Sequence, residues 1–269
     1  MKNMMLRWTV YLSAILTVCV LCFIILHIVL KGIPYLSADL FAVKYTSENL
    51  SLFPALVTTV MLCMLALLIA IPLGVFTSVY LIEYASRKNK FVNVIRLTCE
   101  TLSGIPSIVY GLFGMLFFVT YLKWGFSLVA GAFTLAIMIM PAIMRTTEEA
   151  LKAVPDAYRE GAFGLGAGRM RTVFCVVLPV AVPGILSGII LASGRIIGET
   201  AALIYTAGTV AKIPDELLAS GRTLAVHMYV LSSEGFHTNE AYATAVVLLF
   251  VVLGINMLST RIAKKMVKG

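Results

Sequence analysis

The chain has 269 residues, 60% of them hydrophobic and 13% charged, with a formal net charge of +8 and a mean hydropathy of +0.98. That much apolar surface cannot be folded away inside one soluble core of this length, so the composition places the chain in a lipid bilayer. The net charge is accounted for by membrane topology, and nothing else in the chain points to nucleic acid.

A bilayer span needs about 20 apolar residues. Six stretches qualify: Val10 to Leu30, Leu52 to Ile82, Leu102 to Leu122, Phe126 to Met144, Val173 to Ile197 and Ala241 to Leu258. The runs are continuous rather than alternating, which selects helices over barrel strands. The expected fold is all-α integral membrane, with six transmembrane helices in one membrane domain. Fifteen of the 21 Lys and Arg residues fall on the side that carries both termini. Five (Lys31, Lys44, Lys123, Lys212 and Arg222) fall on the other, and Arg195 lies within an apolar run. By the positive-inside rule both termini are expected in the cytoplasm.

The first run is about one membrane thickness long and lacks a small-residue cleavage site. Cys19 and Cys22 also lack the preceding small residue of a lipoprotein signal, so the run is read as a retained helix. The second run is longer than a bilayer requires and carries Pro72-Leu-Gly74, which predicts tilt, a kink or a cytoplasmic extension. It leads through Glu83 into the basic turn Ser86-Arg-Lys-Asn-Lys90. Trp8, Tyr80, Tyr84, Tyr121 and Trp124 fall near interfaces, where amphipathic rings settle.

The third run opens with Gly104-Ile-Pro-Ser107-Ile-Val-Tyr110-Gly-Leu-Phe-Gly114. Pro106 removes a backbone donor, and Ser107 and Tyr110 are placed to satisfy or expose the groups it frees. Two readings stand side by side: an ordinary proline kink, or a broken helix whose amides point at an anion.

Between the fourth and fifth runs lies a polar, glycine-punctuated cytoplasmic loop. Pro155-Asp156 is a helix start with a negative charge at the positive dipole end, and Gly164, Gly166 and Gly168 supply a turn after it. Ala157, Tyr158, Ala162 and Phe163 give this short helix an apolar face that the membrane does not need, and such a face suits a soluble partner. Gly161 to Gly166 has the outer glycine spacing of a phosphate loop, but Ala167-Gly168 follows rather than Lys-Ser or Lys-Thr, so the stretch is not read as a nucleotide-binding loop.

The fifth run ends in Ser193-Gly-Arg195-Ile-Ile-Gly-Glu199-Thr-Ala. Ionisable groups at membrane depth are functional candidates by default. Arg195 and Glu199, four apart, are expected on one helix face where they can neutralise each other. A guanidinium offers a planar fork that fits two oxyanion oxygens. The rival reading is a buried structural ion pair. Gly184, Gly188 and Ala192, with Gly194 and Gly198, form small-residue rows that let helices approach closely. The outside segment from Thr206 to Glu240 reads equally as half-helices or as a plain surface loop.

The five cysteines sit in or beside apolar runs, and the Cys19/Cys22 spacing has no second pair or nearby His to complete a metal site. His27, His227 and His237 are scattered. No metal, no cofactor and no Ser-His-acid arrangement is expected, which argues against a membrane enzyme.

Glu160-Gly161-Ala162, three residues, Gly166, nine residues, Val176, one residue and Leu178-Pro179 resembles the EAA loop of ABC-importer permeases. Gly161 stands for an Ala of that pattern and Val176 for an Ile. With Gly104-Ile-Pro-Ser-Ile-Val-Tyr-Gly, Arg145-Thr-Thr-Glu-Glu-Ala, Leu178-Pro-Val-Ala-Val-Pro-Gly184 and Arg195-Ile-Ile-Gly-Glu-Thr-Ala, the chain resembles PstA-type permease subunits of bacterial phosphate ABC importers over roughly Leu52 to Lys265. The resemblance implies the MetI-like permease fold, with an N-terminal helix and outside loop over 1–51, a permease core over 52–265 and a coupling loop over about 145–178. It also implies phosphate as substrate and three kinds of partner: a related second permease (PstC-like), two copies of an ATPase subunit (PstB-like) and an extracytoplasmic phosphate-binding protein (PstS-like). Arg195, Glu199, Ser107 and Tyr110 are then candidates for the translocation path. Asp156, Glu160, Gly161, Ala162, Gly166, Leu178 and Pro179 are candidates for ATPase coupling. A sulfate or molybdate permease, or a secondary transporter, are the alternative readings.

Overall fold

The computed structural model describes residues 2–86 and 90–268. Arg87, Lys88 and Asn89 of the basic turn lie outside the described residues. Eleven helices follow in order: α1 (Lys2–Gly32), α2 (Phe53–Val79), α3 (Lys90–Ser103), α4 (Ser107–Gly114), α5 (Leu128–Lys152), α6 (Asp156–Gly164), α7 (Arg169–Thr172), α8 (Leu178–Ile197), α9 (Ala201–Ile204), α10 (Leu224–Glu234) and α11 (Thr238–Lys268). Three wide π turns extend them: Tyr80–Tyr84 after α2, Met115–Tyr121 after α4 and Val173–Val177 before α8. Among the described residues five helices are long and apolar enough to cross a membrane, and a sixth span results if α3 and α4, bent by 104°, are taken as one.

Each span starts and stops for local reasons. Pro54 sits in the first turn of α2, where a missing N–H costs nothing. The Thr58, Thr59 and Ser78 hydroxyls bond back to carbonyls four residues earlier, so these polar side chains bring no unpaired group into the interior. Ser127 caps α5 by accepting from the Ala130 N–H at 3.2 Å. Thr223 caps α10 in the same way, and Gly235, at φ 74°, ends that helix in the left-handed region.

The core is a bundle of α2, α5 and α8. Leu62, Ala66 and Ala70 of α2 pack with Leu135, Ile139 and Ile143 of α5 and Ile196 and Ile197 of α8. The small-residue row works as its spacing suggests, but only over its first half. Gly184 faces Ala150 and Gly188 faces Thr146, which brings α8 hard against α5, whereas a Cβ on Gly194 would meet nothing within 4 Å. The α1 span, from Arg7 to Tyr35, buries none of its most apolar stretch within the chain, and α1 touches the rest chiefly along α11.

Boundaries differ from the sequence reading where charge begins. The fourth run continues as helix eight residues past Met144, because Arg145, Glu148, Glu149 and Lys152 are good helix formers linked in i,i+4 ion pairs. The third run does not start a straight span. Residues 90–103 form a separate amphipathic helix, with Val92 buried and Cys99 lying against Met144. Of the two readings of the outside segment, the half-helix one fits best, with α10 packed on α11 and a small apolar cap of Leu40, Leu50, Leu52 and Leu224 around it.

Candidate functional site

The first candidate region is the break between α3 and α4. Gly104, Ile105 and Pro106 form the corner, and Pro106 is extended at φ −60° and ψ 144°, as its ring demands. This is a broken helix rather than a kink. The Tyr110 hydroxyl donates to the Leu102 carbonyl at 2.7 Å, a bond that spans the corner and holds its angle. Ser107 is half-buried at the first position of α4, whose amides point into the corner. Gly111 packs on α9 so closely that a Cβ would come within 2.8 Å of Ala202 Cα.

Arg195 lies on α8 close enough for its charge to act on the Tyr110 hydroxyl, and its side chain is exposed in the single chain. Glu199 is not its partner. The helix ends at Ile197, so Glu199 falls beyond it, buried to 8% exposure, and its Oε1 accepts the Ala202 N–H at 3.1 Å. Among the described residues no ion pair joins Arg195 to Glu199. The expected neutralisation across one helix face is therefore replaced by a cap on α9 and a guanidinium free of any carboxylate. Tyr110 is within electrostatic reach of Arg195, with Ser107 at the start of the same helix as Tyr110, while Glu199 supports α9, against which α4 packs.

The second region is the loop between α5 and α8. Asp156 opens α6, placing a carboxylate at its positive end. Gly166, at φ +81°, makes the turn that leads to α7, and no L side chain adopts that angle without strain. No residue of α6 is buried in the chain. Its outward side, with Ala157, Tyr158, Gly161, Ala162, Leu165 and Gly166, lines a groove of about 560 Å³, and Leu165 is 92% exposed. Glu160 is exposed, and Leu178 and Pro179 begin α8 at the far side of the loop. Exposed large apolar groups on a polar loop mark a surface built for a partner.

Beneath this face lies a contact without a sequence signal. Arg159 of α6 pairs with Glu83 in the π turn after α2, Nη2 to Oε1 at 2.7 Å, with side chains 16% and 8% exposed. The hydrogen bond and charge of Glu83 raise the Arg159 pKa further above its ordinary value. The two residues are 76 positions apart, so neither spacing nor periodicity links them. Arg169 of α7 lies over the Tyr84 ring of the same π turn, 5.6 Å from its centroid. Near the C-terminal end of α5, Arg96 and Lys152 share Glu148 at 3.3 and 3.1 Å. Arg222 lies 4.6 Å from the Tyr45 ring centre beside the buried His227. Among the described residues no group of three His, Cys, Asp or Glu side chains is disposed to hold a metal.

Residues 70–268 match the family described as "Binding-protein-dependent transport system inner membrane component". The chain is 35% identical to the probable ABC transporter permease protein YqgI of Bacillus subtilis, over 95% of this chain and 94% of that protein. It is 33% identical to the phosphate transport system permease protein PstA of Haemophilus influenzae, over 92% and 88%. The fold is shared with a subunit of a bacterial alginate ABC transporter crystallised with its periplasmic protein, at a TM-score of 0.72 and 16% identity over 98% of this chain and 97% of that one. These matches place the chain among the binding-protein-dependent transport system inner membrane components, as a PstA-type permease subunit of an ABC importer.

Proposed function

We propose that the chain forms half of the path by which inorganic phosphate crosses the membrane, with a related second permease supplying the other half. The observation that carries this reading is the Arg195 guanidinium, which has no carboxylate partner among the described residues and acts electrostatically on Tyr110 of the broken α3–α4 corner, in a chain whose relatives over most of its length include phosphate transport permeases. A cation facing a path at membrane depth is costly unless an anion or water meets it, and its planar fork matches two phosphate oxygens. Arg195 and the amide end of α4 meet the anion in passage, while Tyr110 keeps the corner rigid and Glu199 holds α9 in place behind it.

Both termini lie in the cytoplasm. An extracytoplasmic phosphate-binding protein delivers the anion, and two copies of a separate ATPase subunit grip the 145–178 loop. Asp156, Glu160, Gly161, Ala162 and Gly166 present the docking helix, and Leu178-Pro179 carries its movement into α8. ATP is hydrolysed by that partner and not by this chain.

Labelled-phosphate uptake by a strain lacking this chain, with and without its restoration, tests the reading. Uptake should return with the wild-type chain, resist competition by sulfate and molybdate, and fail with Arg195→Ala. Uptake competed equally by sulfate, or normal with both Arg195→Ala and Arg195→Lys, would refute the assignment.

A further inference from the structure

We propose that Arg159 is the positioning residue that delivers movement of α6 to the membrane helices α2 and α5, so that displacement of the coupling loop is not absorbed in the short turn between α5 and α6. The inference rests on the reading of α6 as the ATPase docking helix.

The argument begins with donor count. A guanidinium has five N–H groups, one on Nε and two on each Nη. In Arg159 every one has an acceptor. Nε lies 3.2 and 3.3 Å from the two Glu83 oxygens. Nη2 donates to Glu83 Oε1 at 2.7 Å and to the Leu151 carbonyl at 2.9 Å. Nη1 donates to the Val154 carbonyl at 2.8 Å and to Asp156 Oδ1 at 3.1 Å. Those acceptors belong to three elements: the inner end of α2, the last turn of α5 with the residues after it, and the first turn of α6. The carbonyls at the end of α5 are among those that a helix cannot satisfy by itself, so this side chain also completes that helix.

Among the described residues no other ion pair holds α6 to α2. The helix buries no residue, and its packing within the chain is against α7 and the 173–177 turn. Val154 anchors the segment 153–155 in an apolar cluster with Val79, Leu151 and Val173, but without Arg159 a push on the exposed face of α6 would turn the helix about that anchor rather than move what lies beneath. With it, α2, α5 and α6 share one node. Lysine cannot replace the node, because three donors on one tetrahedral nitrogen do not match a planar fork with acceptors on three sides.

The node lies on the inner side of α6. Arg159 is absent from the outward groove formed by Tyr158, Gly161 and Ala162, so gripping and transmitting are assigned to different residues. A substitution at Arg159 therefore separates the two, which a purely structural role would not.

The test uses the whole importer, reconstituted in vesicles with its phosphate-binding protein, with phosphate moved per ATP hydrolysed as the readout. Arg159→Ala should retain the ATPase subunit and its hydrolysis within about twofold, while phosphate per ATP falls at least tenfold. Arg159→Lys should fall between, and Glu83→Ala combined with Arg159→Ala should be no worse than Arg159→Ala alone. Glu83→Gln, which keeps an acceptor oxygen but loses the charge, serves if Arg159→Ala does not assemble, and it should lower the ratio by severalfold. A wild-type ratio in assembled Arg159→Ala or Glu83→Gln overturns the inference, as does an equal loss of hydrolysis and transport in both. If the wild-type chain itself fails to retain the ATPase, the docking reading of α6 falls first and the inference falls with it.

Discussion

Gly188→Ala is the sharpest test of how α8 is seated. A Cβ built there would overlap the Thr146 hydroxyl and lie 2.6 Å from Thr146 Cβ, where ordinary contact begins at 3.4 Å. Rotating the Thr146 side chain relieves only the hydroxyl, because Cβ does not move with the rotamer, so α5 and α8 must part by the better part of an ångström. A gap of that size forfeits roughly a quarter to a half of the dispersion energy of the atoms along it, and overpacking of this kind costs about 1–3 kcal/mol. Alanine returns about 1 kcal/mol of helix propensity, which leaves a net loss of up to about 2 kcal/mol. For a chain of this size each kcal/mol is worth roughly 2–4 °C of melting temperature, so the detergent-purified chain should melt up to about 8 °C lower. Gly194→Ala on the same helix meets nothing within 4 Å and should melt at or slightly above the wild type. Equal melting of the two variants would refute the claim that Gly188 sets the approach of α8 to α5.

Four further outcomes follow from the same geometry. Tyr110→Phe loses the bond to the Leu102 carbonyl across the corner, which should cost about 1 kcal/mol and slow phosphate uptake; unchanged uptake would show that the corner holds its angle without that bond. Gly111→Ala would press on the α9 backbone at Ala202, which cannot rotate away, so uptake should fall more than with Gly188→Ala, as measured in cells expressing equal amounts of each. Glu199→Ala removes the acceptor for the Ala202 N–H and should lower stability by about 1 kcal/mol, whereas Glu199→Gln keeps an oxygen and should melt normally; loss of uptake in the Gln variant would then report on charge. Ser127→Ala removes the cap on the buried Ala130 N–H and should cost about 1 kcal/mol in a melting experiment without changing uptake by the surviving protein.

Most of the fold was legible because lipid imposes a simple rule on sequence. Continuous apolar runs of sufficient length must be helices, and five of the six expected runs are single spans with displaced ends. The displacement has one cause. Hydropathy detects where apolar character stops, whereas α5 continues through Arg145 to Lys152 on ion pairs and helix propensity. The α3 helix was missed for the opposite reason: Val92, Ile95, Cys99 and Leu102 follow a helical period, but Asn93, Arg96 and Glu100 keep the mean hydropathy low. At the candidate site, glycine and proline spacing marked an interruption at 104–106, with kink and corner both open, and the turn at Gly166, since both depend on backbone angles that few residues adopt. Spacing misjudged Arg195 and Glu199, because an interval of four implies contact only if the helix runs through both residues. The Arg159–Glu83 node left no trace in the sequence, since it depends on how two distant segments pack.

The π turns show where the proposed node meets the membrane helices. The turns at Tyr80–Tyr84 and Val173–Val177 follow α2 and precede α8, and both touch the 145–178 loop, one through Arg159 and Arg169 and the other through packing of α6. A π turn closes with an i→i+5 bond, as from the Ala85 N–H to the Tyr80 carbonyl at 2.9 Å. Glu83 lies inside the first of them, so the bonds of Arg159 tie that turn to the end of α5 and the start of α6. Along their length α2 and α8 meet α5 at Gly74 and Gly188, where a single added carbon does not fit. If α6 is the docking helix, as proposed, movement imposed on it therefore reaches α2 through a braced turn and then a packed interface. Since packed interfaces switch between arrangements rather than deform continuously, the helices are then expected to rock as bodies about the α5 contact.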